Sequence, residues 1–145
     1  SFQAAIDAGA LTVMINSGEI NGIPVHANPK ILVELLRNEM HFNGMAVTDW
    51  EDVIKLVKVH HVAENLKEAV YQAVQAGIDM CMVPNDYDFT KLLIELVKEN
   101  GGLNYAEDVM IEYRNEALEI LNQFDDNEAR RSLELLLNYV VNRKK

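Results

Sequence analysis

The sequence predicts an α/β protein, with a small parallel sheet of about three strands flanked by helices and followed by a C-terminal helical hairpin. Three observations predict it. Residues 5–15 (Ala-Ile-Asp-Ala-Gly-Ala-Leu-Thr-Val-Met-Ile) and 73–83 (Ala-Val-Gln-Ala-Gly-Ile-Asp-Met-Cys-Met-Val) repeat one pattern: a helical stretch, Ala-Gly, then a short apolar run. Stretches with apolar residues at helical spacing separate these runs. Beyond Gly101-Gly102 the strand signal stops and two further helical stretches follow.

The glycine of each Ala-Gly stands just past a helix end, where the left-handed conformation costs it little. The apolar run that follows is too short and too continuously apolar for a surface helix. It reads as a strand buried on both faces, the signature of a parallel sheet. A third run of this kind is Phe42-Asn43-Gly44-Met45-Ala46-Val47-Thr48-Asp49. Residues 29–40 align Ile31, Leu32, Leu35, Leu36 and Met40 on one stripe, with Pro29 at the first helical position. Residues 62–76 do the same with Val62, Leu66, Ala69, Val70, Ala73 and Val74, and residues 89–98 with Leu92, Leu93, Leu96 and Val97. The order α-β-α-β-α-β-α implies right-handed βαβ units. In the tail, residues 104–122 and 127–142 read as two helices, with Asp125-Asp126-Asn127 supplying the turn and an N-cap. A single domain over 1–145 is expected, with βα units to about residue 100 and the hairpin of 101–145 packed on them.

A chain of 145 residues can bury a sizeable core without staples. Its formal charge of −10, from 23 acidic and 13 basic residues, repels phosphate backbones and argues against a nucleic-acid partner. No apolar run approaches the roughly 20 residues of a spanning helix, and no basic amphipathic face is offered to a membrane. Arg143-Lys144-Lys145 complements the negative end of the last helix. Cys81 is the only cysteine, which excludes an internal disulfide; within Met80-Cys81-Met82-Val83 it reads as a small buried hydrophobe. The sequence opens directly into helix-like residues without signal-peptide features, and it fixes no compartment. His60 and His61 read as facing different sides of a helix, while His26 and His41 are isolated, so no metal or cofactor is expected.

In α/β folds, ligands sit outside the carboxyl ends of parallel strands. Here those ends are Asn16-Ser17-Gly18-Glu19, Thr48-Asp49-Trp50-Glu51-Asp52 and Pro84-Asn85-Asp86-Tyr87-Asp88, all polar or acidic. Asp followed by Trp at a strand end suits a carbohydrate. The carboxylate can attack an anomeric carbon or bond sugar hydroxyls, and the indole offers a flat apolar plate. The competing reading is that Asp49 N-caps the next helix while Trp50 packs. Glu19, Glu51, Asp52, Asp86 and Asp88 stand where a second carboxyl group could come from, with helix capping or solvated surface as the competing reading for each.

Gly44-Met45-Ala46-Val47-Thr48-Asp49-Trp50 resembles the signature of glycoside hydrolase family 3, the β-glucosidase family: a small apolar strand ending in Ser/Thr-Asp-Trp. Three more segments resemble the same family in order. They are Val13-Met14-Ile15-Asn16 with Ile20-Asn21-Gly22-Ile23-Pro24-Val25, then Leu35-Leu36-Arg37-Asn38-Glu39-Met40-His41-Phe42-Asn43-Gly44, then Ala76-Gly77-Ile78-Asp79-Met80. The resemblance covers about residues 2–98 and implies the C-terminal part of a (β/α)8 catalytic barrel. It implies Asp49 as the nucleophile of a retaining mechanism, Trp50 lining the sugar site, Met14 near the same end of the barrel, and a β-glucoside or glucose as ligand. Ser17, counted with Trp50 and Met14 among the expected substrate-binding residues, stands where many members have a Tyr shortly after the Met, a departure that removes a transition-state contact of the family. The acid/base Glu of the family has no matching motif here, and residues 101–145 do not match the Arg-rich helix with which the family usually continues.

Three barrel strands cannot close a barrel, and they leave two sheet edges and the former interior bare. Either the tail helices cover that surface or copies associate through the sheet edges into a homo-oligomer. The change of character at Gly101-Gly102 leads us to expect an engineered or chimeric, non-catalytic α/β scaffold built on a barrel piece. The alternative is a retaining β-glucosidase fragment with Asp49 as nucleophile, active weakly or in a complex.

Overall fold

The three apolar runs form a parallel sheet with the last-but-one strand in the middle. The structure, a computed structural model, describes residues 1–83 and 87–143. In chain order its first elements are α1 (Phe2–Asp7), β1 (Thr12–Met14), β2 (Glu19–Ile20), β3 (Ile23–Pro24) and a π-type helix over Lys30–Glu39. Then come β4 (Met45–Trp50), α2 (Asp52–Lys58), α3 (Leu66–Ala76), β5 (Met80–Met82), α4 (Asp88–Glu99), α5 (Gly102–Leu121) and α6 (Glu128–Asn142). The sheet order is β1-β4-β5. The chain divides into two compact units, 1–96 and 97–145.

In the first unit, Thr12, Val13 and Met14 lie opposite Met45, Ala46 and Val47. Val47 lies opposite Met80 and Trp50 opposite Met82, with an irregularity between the two pairs. Thr48 occupies that irregularity: its Oγ1 accepts the Met82 N–H at 2.8 Å. Side chains alternate across the strand. Ala46 and Thr48 are fully buried, in a core with Leu32, Phe42, Val53, Leu56 and Val70. Met14, Met45 and Met80, on the other face, stay exposed. The strands are therefore not buried on both faces as their apolar runs suggest, because a three-stranded sheet does not curl into a closed interior. Cys81 is only partly buried, packed against the core.

The expected helices form with shifted ends. The Lys30–Glu39 helix is wide, its end marked by Met40 N–H donating to Leu35 O at 2.9 Å, and it buries Leu32 and Leu36. Pro29 precedes it rather than starting it. Helix α3 begins at Leu66, not at residue 62, because Asn65 caps it: its Oδ1 accepts the Glu68 N–H at 3.0 Å. It ends at Gly77, whose φ of 109° is a left-handed turn. The seven-residue α2, which buries Val53 and Leu56, was not apparent in the sequence. His60 and His61 follow it in a connection instead of lying on a helix. β2 and β3 form a small antiparallel hairpin about Asn21 (φ 54°) and Gly22 (φ 77°), the pair of positive φ angles that a tight I′ turn requires.

At the amino ends of the strands, Arg37 donates to Phe42 O at 3.1 Å, to Gly44 O and to the Asp79 carboxylate. The guanidinium lies 5.1 Å from the Phe42 ring centre. Asp79 also accepts the Ala46 N–H at 2.7 Å. One ion pair thus ties the entries of β4 and β5 together, far from their carboxyl ends.

The second unit is a helical hairpin of α5 and α6. Asn127 caps α6 by accepting the Arg130 N–H at 2.9 Å, and Val109, Tyr113, Leu137 and Val141 line the groove between the two helices. Among the described residues no helix is long and apolar enough to cross a membrane. Lys144 and Lys145, expected to complement the helix end, lie outside the described residues.

Candidate functional site

The carboxyl end of the sheet brings together Asn16-Ser17 after β1 and Asp49-Trp50 at the end of β4. Asp49 is the fifth residue of the central strand β4 and alternates with Met45 and Val47, so it shares a sheet face with Met14. It is partly buried, and its Oδ1 accepts the adjacent Trp50 N–H at 2.6 Å. The capping alternative does not hold: Glu51 is the N-cap of α2 and makes no side-chain cap, and Asp49 stands two residues earlier. Nor does Trp50 pack into the core, because it remains 52% exposed. A carboxylate beside an open indole is an arrangement that can engage a sugar.

Ser17 is turned elsewhere. Asn16 Oδ1 accepts the Gly18 N–H at 2.8 Å, a local turn that aims Ser17 across to α2, where its hydroxyl donates to Asp52 Oδ2 at 2.6 Å. The other oxygen of Asp52 takes Lys55 Nζ. Asp52 is buried, as is His26, whose Nε2 lies 3.4 Å from Asp52 Oδ2 without a hydrogen bond. Burial lowers the pKa of His26 below its usual value, and the opposing pull of the Asp52 charge is the smaller effect. His26 is therefore a neutral imidazole at neutral pH. Farther out, His60 Nδ1 lies 2.7 Å from Glu19 Oε1 and fastens β2 to the connection after α2.

The other strand-end carboxylates are placed as follows. Asp52 is shut away from ligand. Glu19 is exposed and bound to His60. Glu51 is exposed in a left-handed conformation (φ 55°, ψ 22°). Asp88 is exposed at the start of α4, 3.0 Å from Lys91. Pro84, Asn85 and Asp86 lie outside the described residues. Among the described residues no three His, Cys, Asp or Glu side chains converge to hold a metal ion. Sequence reasoning saw Ser17, His26 and Asp52 separately and missed that they meet. Their spacings of 9 and 26 residues follow no motif, and only the Asn21-Gly22 hairpin hinted that the chain folds back there.

Residues 1–113 match the family model described as the glycosyl hydrolase family 3 N terminal domain. The match runs past Gly101-Gly102 into α5. A lysosomal β-glucosidase of Dictyostelium discoideum is 56% identical over 98 residues, 67% of this chain and 12% of that protein. A putative β-xylosidase of Formosa agariphila is 35% identical over 127 residues, 86% of this chain and 16% of its own length. The crystal structure of a β-glucosidase from Listeria innocua in complex with glucose superposes with a TM-score of 0.62 at 34% identity, covering 68% of this chain and 13% of that one. A β-glucosidase from Erythrobacter marinus gives 0.63 at 36% identity, over 68% and 13%. The chain thus spans between an eighth and a sixth of the curated relatives named here.

Proposed function

The chain belongs to glycoside hydrolase family 3, and from that premise we propose that it carries the nucleophile strand of a retaining β-glycosidase acting on β-glucosides. Asp49 is the nucleophile, Trp50 the plate against the sugar, and Met14 a wall of the same site. The observation that carries this reading is the position of Asp49 at the carboxyl end of the central strand, on the face of Met14 and next to an exposed indole. In a parallel α/β sheet that end is where chemistry is placed.

The Asp49 carboxylate attacks the anomeric carbon as the glycosidic oxygen leaves with a proton from an acid, and water then hydrolyses the glycosyl ester. Retention needs the second carboxyl group roughly 5 Å away. Asp52 is buried and Glu19 is held by His60, so neither is free to serve as the acid. Its absence costs about 10²- to 10⁴-fold, and the isolated chain turns over weakly or not at all.

The test is hydrolysis of an aryl β-glucoside by the chain alone and by the chain with a preparation of the missing barrel strands, each beside Asp49→Asn. Turnover that appears with the complement and vanishes in Asp49→Asn supports the reading; turnover indifferent to Asp49→Asn refutes it. A second reading is a non-catalytic scaffold, in which the compact unit of residues 1–96 keeps the strands as architecture alone. It predicts no turnover under either condition and no change of Trp50 fluorescence with glucose.

A further inference from the structure

We infer that Ser17 and Asp52 are positioning residues, a side-chain bridge that clamps the turn bearing Asp49 and Trp50 to the loop after β1 while the end of β5 holds its other side. The turn needs a clamp. β4 passes into α2 through Glu51 at φ 55° and ψ 22°, a left-handed conformation that a glutamate keeps only where its surroundings hold it. On the β5 side, Glu51 N–H donates to Met82 O at 3.0 Å, and Met82 N–H donates to Thr48 Oγ1 at 2.8 Å. On the β1 side, Ser17 donates to Asp52 Oδ2 at 2.6 Å while Lys55 meets Oδ1.

The Asp52 side chain is 1% exposed. A carboxylate that deep keeps its place only while its oxygens are bonded. Removing the Ser17 hydroxyl takes away the 2.6 Å donor to Oδ2 and leaves near that oxygen only His26 Nε2, at 3.4 Å and without a hydrogen bond. The carboxylate then swings towards water and draws the first turn of α2 with it, and Glu51 is released. The significance of the clamp for catalysis rests on the reading of Asp49 as nucleophile, because a nucleophile displaced by about half an ångström loses its alignment. The clamp itself does not rest on that reading.

Trp50 is the only tryptophan and sits inside the clamped turn. The experiment uses the full chain without substrate and compares wild type, Ser17→Ala, Ser17→Thr and Asp49→Asn by acrylamide quenching of Trp50 and by amide hydrogen exchange. Ser17 is exposed, so its truncation is expected to leave the fold intact. In Ser17→Ala the Glu51 amide exchanges about tenfold faster or more and Trp50 is quenched more readily, while the Val70 amide in the core is unchanged. Ser17→Thr keeps the hydroxyl and restores both values, and Asp49→Asn leaves the Glu51 amide as in wild type. A Glu51 rate within twofold of wild type in Ser17→Ala overturns the proposal, as does a uniform acceleration that includes Val70. Because no outcome depends on turnover, a failure of the nucleophile assignment shows separately, in the hydrolysis assay.

Discussion

Gly44→Ala tests how closely β1 and β4 approach at their amino ends. A Cβ on residue 44 would stand 2.3 Å from Leu11 O, 2.6 Å from Phe42 Cζ and 2.7 Å from Leu11 C. Two of these are backbone atoms, and Phe42 is only 1% exposed, so no flexible side-chain end can move aside. Restoring even the tightest tolerated separation of 3.0 Å shifts the Leu11 carbonyl by about 0.7 Å. That carbonyl accepts the Met45 N–H at 2.9 Å, the first bond between the two strands, and the shift breaks it. One lost hydrogen bond costs about 1 kcal/mol and overpacking about 1–3 kcal/mol, for a total of about 2–4 kcal/mol. With a urea m-value of about 2 kcal/mol/M, the midpoint falls by about 1–2 M. Trp50 fluorescence follows the transition of the first unit. Gly18→Ala is the control, because its Cβ would meet only the end of the Asn16 side chain, at 3.0 Å. A Gly44→Ala midpoint within about 0.3 M of wild type would refute the argument from close approach.

Other perturbations have equally definite outcomes. Burial holds the pKa of His26 below 6.5, against Asp52 and Asp49 and together with Lys55 and His60. The folded state therefore binds fewer protons than the unfolded one. The contribution of His26 is complete above about pH 6.5 and is lost as the pH falls towards the depressed folded value, so the urea midpoint drops between pH 7.5 and 5.5, and His26→Gln flattens that drop. An unaltered profile in His26→Gln would show that another group is responsible. Asn127→Ala removes the cap of α6 and lowers stability by about 1 kcal/mol, read as a loss of far-UV ellipticity on mild heating while the Trp50 transition stays in place; Asn65→Ala shifts the Trp50 transition instead, through α3. If either substitution moves both signals equally, the two units do not melt separately.

Much of the first unit was legible because its strands and longer helices carry their periodicity locally. The Ala-Gly echoes mark β1 and β5, and the stripe of Leu32 and Leu36 marks the helix between β1 and β4. Helix α2 escaped because seven residues give two buried apolar positions, Val53 and Leu56, too few to set a period. The β2–β3 hairpin escaped because two-residue strands cannot alternate, although Asn21-Gly22 was the signal for its turn. Asp49 and Trp50 could be placed together at the carboxyl end of β4 from sequence because adjacency in sequence is adjacency at the strand end. Asp52, two residues on from Trp50, looked like another surface carboxylate. What buries it is the fold itself, which brings Ser17 and His26 onto it from the chain after β1. No local pattern records that, and the same holds for the bare methionine face, since a continuous apolar run looks alike whether one or both of its faces are covered.

The strand order β1-β4-β5 leaves β1 and β5 at the margins, and the strands are parallel. Joining the β5 margin of one copy to the β1 margin of the next therefore preserves direction and adds strands three at a time. A barrel of eight parallel strands is not a multiple of three. Rings built from this chain alone would pass from six strands to nine without stopping at eight, and joining that fails to close propagates instead. By that arithmetic, an eight-stranded barrel around Asp49 calls for a segment that is not a copy of this one.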